Sequence, residues 1–214
     1  MSYKIGLVGL AGAGKDEAAK IIKELLPHYE IDRYAAILKE AARQVFGENF
    51  DDRDVKEESV FMTPQLWDKL WDAVDYTALK VTDNETSVYD VFMDYADKAF
   101  SGLTWISPRL FQQLLGTEVG RNVHPNIWVN YLRNQERNLI IPDVRFDNEL
   151  VNLNILIQRH PVPKGKLHAS EVFAAELMLM DDPFNYVNCI VYNGGTLDDL
   201  RDKITYVLKL NNLI

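Results

Sequence analysis

A glycine-rich segment, residues 9–16, constrains the fold of this chain more than any other feature. It has the spacing G-x-x-x-x-G-K and follows a short apolar run, residues 3–8, that is typical of a buried strand. Residues 16–26 then carry apolar side chains at helical spacing and end at Pro27. In this order of strand, glycine loop and helix, backbone N–H groups surround phosphate oxygens. We therefore expect a phosphate-binding loop beside a parallel sheet.

The rest of the chain continues to alternate between strand-like and helix-like segments. Further strands are predicted at residues 31–34, 138–142, 154–158 and 188–192, and further helices at residues 35–46, 108–115, 126–133 and 146–153. A last helix is predicted to begin after Thr196, which is a suitable N-cap residue. Residues 116–125 are expected to link two helices. The alternation predicts an α/β fold in which helices cover both faces of a parallel sheet.

Acidic residues are concentrated in one segment of the chain. Residues 48–98 include 14 acidic and five basic residues, and their net charge of −9 equals that of all 214 residues. Apolar side chains at helical spacing, around Trp67 and again at residues 88–99, predict that this segment is helical. The remainder is formally neutral. The pI of the whole chain, about 4.9, argues against a broad surface for nucleic acid or anionic membrane but is compatible with a local basic cleft.

Length and composition favour a single globular domain. At roughly 100–200 residues per domain, the chain is expected to form one domain (residues 1–214), with residues 48–105 as a helical insertion and residues 160–182 as a lid-like segment. Cys189 is the one cysteine, so no disulfide framework or cysteine-only zinc site is expected. The sequence has no apolar run of membrane-spanning length and no signal-peptide pattern, so we expect a soluble cytoplasmic protein.

Lys15 is the lysine of the G-x-x-x-x-G-K spacing, and its side chain would reach the β- and γ-phosphates of a nucleoside triphosphate. Asp16 follows it, at a position where a hydroxyl side chain usually ligates Mg²⁺. A carboxylate is also a hard oxygen ligand, so Asp16 is a candidate metal ligand that brings negative charge near the phosphates. The alternative is a glycine-rich turn without a ligand, but the strand–loop–helix context and the lysine favour nucleotide binding.

A second candidate site follows the predicted strand at residues 138–142. Asp143 comes directly after this strand and Arg145 two residues later, so both would lie at the carboxyl edge of the sheet. There Asp143 would be a second Mg²⁺ ligand, and Arg145 would point into the same crevice. Alternatively, the two residues form a structural pair, or Asp143 caps the next helix.

Two further groups of basic residues are candidates for phosphate contacts. Arg109 and Arg121 are suited to a bidentate grip on a second phosphate, although arginines on helices are as often solvated or paired with acids such as Glu118. Lys164 and Lys166 lie in a segment that could close over a transferring phosphoryl group. For that segment an ordinary solvated loop is the simpler interpretation.

Several short motifs follow one another in a distinctive order. They are residues 9–16 (GLAGAGKD), 34–39 (YAAILK), 108–121 (PRLFQQLLGTEVGR), 127–129 (IWV), 142–145 (PDVR) with Glu149, and 168–171 (HASE). In this order, and over most of its length, the chain resembles phage-type deoxynucleoside monophosphate kinases. The resemblance implies transfer of a phosphoryl group from ATP, with Mg²⁺, to a (deoxy)nucleoside monophosphate. It also implies a P-loop NTPase-like three-layer α/β/α fold with a five-stranded parallel sheet in the order 2-3-1-4-5.

The resemblance further implies roles for individual residues. ATP and Mg²⁺ would be bound by Gly9, Gly12, Ala13, Gly14, Lys15, Asp16, Asn193 and Gly195, with Asp16 and Asp143 as metal ligands. The acceptor would be bound by Lys39, Arg109, Gln113, Gly116, Thr117, Arg121, Trp128 and Arg145. The catalytic residues would be Lys15, Arg109, Arg121 and Arg145, and the lid would include Arg159, Lys164 and Lys166.

The sequence alone leaves open which base and sugar the acceptor carries and whether the protein forms a homodimer. It also leaves two other functions open. One is a kinase for another small acceptor, such as dephospho-coenzyme A. The other is a non-catalytic P-loop module that binds a nucleotide without turnover. Arginines suited to a second phosphate favour an enzyme over the module, because a module has no use for a second phosphate contact.

Overall fold

The computed structural model describes residues 2–52, 54–83, 85–159 and 169–214. Its strands are β1 (Lys4–Val8), β2 (Glu30–Ile31), β3 (Val60–Phe61), β4 (Trp105–Ile106), β5 (Leu139–Val144), β6 (Leu153–Gln158) and β7 (Cys189–Tyr192). Its helices are α1 (Lys15–Leu25), α2 (Ala36–Phe46), α3 (Pro64–Val81), α4 (Thr86–Phe100), α5 (Pro108–Gln113), α6 (Ile127–Arg133), α7 (Ala169–Leu179) and α8 (Leu197–Leu210). A π-helix, Leu114–Arg121, lies between α5 and α6. The elements form two compact units, Met1–Tyr34 with Gln135–Ile214, and Ala35–Asn134.

The first unit is built on a sheet whose five strands, within the described residues, all pair in parallel. They lie in the order β2-β5-β1-β6-β7, which is second, third, first, fourth and fifth when only the strands of this sheet are counted along the chain. Buried apolar residues of α1 and α8, such as Ile22 and Ile204, form one cluster with Ile5 and Leu7 of β1. The predicted α/β fold with a five-stranded parallel sheet is confirmed.

The pairing of β1 with β5 shifts by one residue near the ends of the two strands. Gly6 pairs with Ile141, whereas Val8, two residues later, pairs with Val144, which is three residues later. β5 therefore contains one more residue than β1 in this interval, and the interval includes Pro142. Proline has no N–H to donate within a sheet, and a bulge is one of the few places where a strand tolerates it.

The helices at the two ends of the first unit form where the sequence predicts them. α1 begins one residue before the predicted start and ends one residue before the predicted end. The Thr196 side chain caps α8 by accepting a hydrogen bond from the Asp199 N–H at 3.2 Å. The Asp199 carboxylate accepts the Thr196 N–H in return at 2.7 Å, so both backbone donors are satisfied.

The helix predicted at residues 146–153 is wrong. Within this stretch the structure contains a single 3₁₀ turn, Asp147–Glu149. The buried Glu149 carboxylate accepts the N–H groups of Arg145 at 2.6 Å and of Phe146 at 3.3 Å. A side chain that satisfies backbone donors in this way competes with the hydrogen bonds of a helix. The turn instead connects β5 directly to β6.

The second unit is helical apart from the antiparallel pair β3–β4, as far as the described residues show. Phe92, Phe100 and Phe111 are fully buried in its apolar core. α3 and α4 occupy most of the acidic segment 48–98, as predicted. The link predicted at residues 116–125 is wrong for its first six residues, which continue α5 as the π-helix. Along the described ranges, no helix has the length and apolar character needed to cross a membrane.

Candidate functional site

The glycine-rich loop connects β1 to α1, as predicted, and other atoms approach two of its glycines closely. Gly14 is the N-cap of α1 with φ at 97°, and a Cβ there would lie against the side-chain amide of Asn193. At Gly9 a Cβ would come within 2.5 Å of the carbonyl oxygen of Ile157 in β6. The loop is thus confined by β6 and by Asn193 after β7, and its backbone N–H groups lie at the positive end of α1.

The Lys15 side chain is folded onto this loop. Its ammonium donates to the carbonyl oxygens of Gly9, at 2.7 Å, and Leu10, at 2.9 Å. Both acceptors belong to the loop itself, so the ammonium lies beside the backbone that would bind phosphate. A small movement of this flexible side chain would exchange the two carbonyl oxygens for oxygens of a bound phosphate.

Charged side chains of the first unit surround the Lys15 ammonium. Burial is the main influence and lowers the pKa of Lys15, and the Arg145 cation acts in the same direction. The carboxylates of Asp16, Glu171 and Asp143 oppose both effects. The predicted residues Lys15, Asp16, Asp143 and Arg145 are therefore brought together. The three carboxylates offset the repulsion between the Lys15 and Arg145 cations, and a phosphate bound between the cations would do the same.

Two residues that follow β2 bind the predicted metal ligands. The guanidinium of Arg33 lies 2.8 Å from Asp16 Oδ1, and the N–H of Tyr34 donates to Asp143 Oδ1 at 3.3 Å. The side chains of Arg33 and Asp16 are 40% and 66% exposed, so this ion pair contributes little to stability and can be exchanged.

The chemistry of Asp16 and Asp143 fits Mg²⁺ held jointly with phosphate. Within the described ranges, no three His, Cys, Asp or Glu side chains come together as a metal site. Mg²⁺ usually takes one or two protein carboxylates and completes its shell with water and phosphate oxygens. Asp16 and Asp143 both act electrostatically on the same ammonium, so two carboxylates are available at the loop.

Arg145 is positioned by the turn after β5. Its N–H donates to the Glu149 carboxylate at 2.6 Å, and the Tyr34 hydroxyl donates to the Glu149 carbonyl oxygen at 2.6 Å. Glu149 is only 6% exposed, so the backbone at Arg145 is fixed from inside the unit while the Arg145 side chain is exposed. This arrangement presents a guanidinium to solvent at the carboxyl end of β5.

Asn193 joins the loop after β7 to the glycine-rich loop. Its side-chain amide donates to the Ala13 carbonyl oxygen at 2.8 Å, and its backbone N–H donates to the Gln158 carbonyl oxygen at 2.7 Å. Gly195 is exposed two residues later. Asn193 therefore supports the phosphate-binding loop directly, whereas a contact of Asn193 and Gly195 with adenine stays a prediction.

The predicted acceptor residues other than Arg145 lie in the second unit. Arg109 pairs with Glu57, and Lys39 pairs with Asp51 at 2.5 Å, all four side chains being about half exposed. Gln113 and Thr117 are exposed, and Thr117, Gly116 and Arg121 belong to the π-helix. π-Helical turns are rare and frequently occur at functional sites, so the backbone conformation of Leu114–Arg121 is compatible with a functional role for this segment.

Trp128, also predicted as an acceptor residue, is part of the core of the second unit. Its side chain is 6% exposed, and its indole N–H donates to the Gly116 carbonyl oxygen at 2.9 Å. A Cβ at Gly120 would overlap the same indole ring. Trp128 therefore holds the π-helix in place through a hydrogen bond and through close packing.

Trp128→Phe is expected to lower the free energy of unfolding by about 1–3 kcal/mol, because the buried Gly116 carbonyl loses its donor while the aromatic bulk remains. Urea denaturation measures the change. Trp105→Phe is the matched control, since Trp105 is 56% exposed on β4. Unchanged stability together with a higher KM for the acceptor would show instead that Trp128 acts on the substrate.

The predicted lid is described only in part. Arg159 is exposed directly after β6. Lys164, Lys166 and His168 lie outside the described residues, so their roles stay predictions.

Two charged residues at the loop, Arg33 and Glu171, have no individual role predicted from the sequence, although Glu171 belongs to the motif at residues 168–171. Arg33 binds Asp16, and the Glu171 carboxylate accepts the N–H of Ala11 at 3.1 Å. Arg33 lies two residues after the end of β2, near the carboxyl edge of the parallel sheet, whereas the sequence predicted a strand through residues 31–34. Glu171 is separated from Ala11 by 160 residues, and its spacing in the sequence offers no comparable signal.

No family model matches the sequence, and no curated protein matches it significantly. Among solved structures, the dephospho-CoA kinase from Campylobacter jejuni has a TM-score of 0.42 and 11% identity, over 98% of this chain and 97% of that chain. The thymidylate kinase from Candida albicans has a TM-score of 0.40 and 12% identity, over 99% of this chain and 93% of that chain.

Proposed function

We propose that this chain is an ATP- and Mg²⁺-dependent kinase that phosphorylates a (deoxy)nucleoside monophosphate. The observation that carries the proposal is the placement of Lys15, Arg145 and two carboxylates around a glycine-rich loop between β1 and α1. The loop amides and the two cations suit a polyphosphate. The proposed partners are small nucleotides in the cytoplasm, rather than nucleic acid or membrane, in keeping with the net charge of −9.

The proposed reaction requires positioning and charge stabilisation rather than a side-chain nucleophile. An oxygen of the acceptor phosphate forms a bond to the γ-phosphorus of ATP as the bond from that phosphorus to the β–γ bridging oxygen breaks. The products are ADP and a nucleoside diphosphate. Lys15 and Arg145 would stabilise the negative charge that is redistributed over the transferring oxygens. The proposed metal ligands are Asp16 and Asp143, and the ion would supply charge neutralisation between the phosphates.

The proposed acceptor residues of the second unit are Lys39, Arg109, Gln113, Gly116, Thr117, Arg121 and Trp128. The ion pairs of Lys39 and Arg109 support this role, because an exposed ion pair is weak enough to be exchanged for a phosphate. Arginine binds phosphate in a bidentate manner, which orients the attacking oxygen as well as holding it. Trp128 would act through the π-helix that it supports.

A screen of acceptors tests the proposal. The protein is incubated with MgATP and each deoxynucleoside monophosphate, each ribonucleoside monophosphate, or dephospho-coenzyme A, and ADP release is followed by a coupled assay. Stimulation by a monophosphate is expected. Stimulation by dephospho-coenzyme A alone would replace the proposed acceptor class. Nucleotide binding by calorimetry without stimulated ADP release from any acceptor would indicate a non-catalytic module.

Arg121→Ala is expected to raise the KM for the acceptor about tenfold or more, the effect of losing a charge-assisted contact to phosphate, with a smaller effect on the KM for ATP. Steady-state kinetics with each substrate varied in turn separates the two constants. Arg43→Ala is the matched control, because Arg43 lies in α2 of the same unit and pairs with Glu40. Equal effects of the two variants would contradict a specific role for Arg121.

A further inference from the structure

The glycine-rich loop already binds a carboxylate of its own chain. Oε1 of Glu171, in the first turn of α7, accepts the backbone N–H of Ala11 at 3.1 Å. Ala11 is the third residue of the loop and is exposed. A backbone N–H in such a loop is the type of donor that binds phosphate oxygen in nucleotide-binding proteins.

A carboxylate oxygen and a phosphate oxygen are the same kind of acceptor for this N–H. Both are anionic, and both make shorter and stronger hydrogen bonds to an amide than a neutral oxygen does. Glu171 also interacts with the Lys15 cation, where it opposes the lowering of the lysine pKa. The carboxylate therefore occupies one loop amide that a nucleotide phosphate would use, and it acts electrostatically on the lysine that the phosphate would contact.

The other carboxylates near Lys15 have partners elsewhere. Asp16 pairs with Arg33 at 2.8 Å, and Asp143 accepts the Tyr34 N–H at 3.3 Å. The loop also satisfies some of its own groups, since the Ala13 N–H donates to the Leu10 carbonyl oxygen at 3.1 Å. Glu171 is thus the acid whose hydrogen bond has to be given up before a phosphate can use the Ala11 N–H.

We propose that Glu171 competes with nucleotide phosphate for the glycine-rich loop and thereby sets the affinity of the loop for nucleotide. The inference rests on the proposed function only in requiring that the loop bind nucleotide phosphate. A bound polyphosphate displaces the carboxylate, which then turns to solvent, and no covalent step is involved. Part of the binding free energy is spent on this exchange, so the loop binds nucleotide more weakly than its amides and lysine alone would allow.

Calorimetry with ATP and with sodium tripolyphosphate, both without divalent cations, tests the competition. Glu171→Ala is expected to lower the Kd for both ligands by about three- to tenfold, the range for an exposed charge-assisted hydrogen bond. Glu171→Asp keeps the charge but is shorter by one methylene, and it is expected to lower both Kd values as well. Glu176→Ala is the matched control, because it removes the same charge from an exposed position of α7 and should leave both Kd values nearly unchanged.

Each outcome of this experiment has a defined meaning. Unchanged or weaker binding by Glu171→Ala would overturn the competition while leaving the nucleotide site intact. Tighter binding by Glu171→Ala but not by Glu171→Asp, or an equal gain in Glu176→Ala, would show that general charge repulsion is responsible and would overturn the direct contact. Failure of the unaltered protein and of all variants to bind either ligand would overturn both this inference and the proposed kinase.

Discussion

Lys15→Ala is expected to lower kcat by about 10²- to 10³-fold, the loss measured when one preorganised donor to developing charge is removed. The ammonium lies on the loop carbonyls of Gly9 and Leu10, a short side-chain movement away from the phosphates that the loop would bind. Its interaction grows as negative charge shifts between the β- and γ-phosphates, so the effect should fall on turnover more than on substrate affinity. Steady-state ADP release with saturating MgATP measures it.

Lys20→Ala is the matched control for Lys15→Ala. Lys20 lies on the same helix, is exposed, and pairs with Glu17 at 2.8 Å. Both variants lose one positive charge from α1, so a loss of kcat that is confined to Lys15→Ala reflects the position of the ammonium rather than the net charge. Full activity of Lys15→Ala on every acceptor would show that the loop lysine has no part in the reaction.

Arg145→Ala is expected to lower kcat by about 10²-fold, because it removes the second cation that acts where Lys15 acts. The carboxylates of Asp16, Asp143 and Glu171 offset the repulsion between the two cations, and a phosphate bound there would interact favourably with both. Because the backbone of Arg145 is held by the buried Glu149 carboxylate, truncating the exposed side chain should leave the fold unchanged. Steady-state kinetics together with circular dichroism checks both expectations.

Arg145→Lys is expected to recover only part of this loss, because an ammonium carries the charge but lacks the planar pair of donors. Arg201→Ala is the matched control, since Arg201 is an exposed residue of the same unit that pairs with Glu24. If Arg145→Ala and Arg201→Ala had equal kcat values, Arg145 would be an ordinary surface residue.

The parts of the site that the sequence predicts are those governed by local rules. Lys15 and Asp16 follow the glycine loop, and Asp143 and Arg145 follow a buried strand. In a parallel sheet the carboxyl ends of the strands lie at one edge, so residues from both places were expected to meet, and they do. Most of the sheet was predictable as well, because β1, β5, β6 and β7 are short, largely apolar runs, whereas the two residues of β2 are exposed.

The parts that the sequence does not predict depend on contacts between distant residues. Gly116 and Gly120 favoured a loop in the sequence, yet both lie in the π-helix. Their lack of a side chain is explained by packing, since a Cβ at Gly116 would press on Leu38 and one at Gly120 would overlap Trp128. The contact of Glu171 with Ala11 likewise arises from tertiary structure, which spacing along the chain does not encode.

The extra residue of β5 near Pro142 determines which side chain is buried at the end of that strand and which is not. Had β1 and β5 kept their initial register, Asp143 rather than Val144 would lie opposite Val8. Paired residues of parallel strands point to the same face, and Val8 is fully buried, so the carboxylate would have been directed into the apolar interior. With the extra residue, the isopropyl group of Val144 is buried and the half-buried acid lies near Lys15. The bulge at Pro142, which has no N–H to donate, thus places Val144 rather than Asp143 in the interior and leaves the Asp143 carboxylate near the Lys15 ammonium.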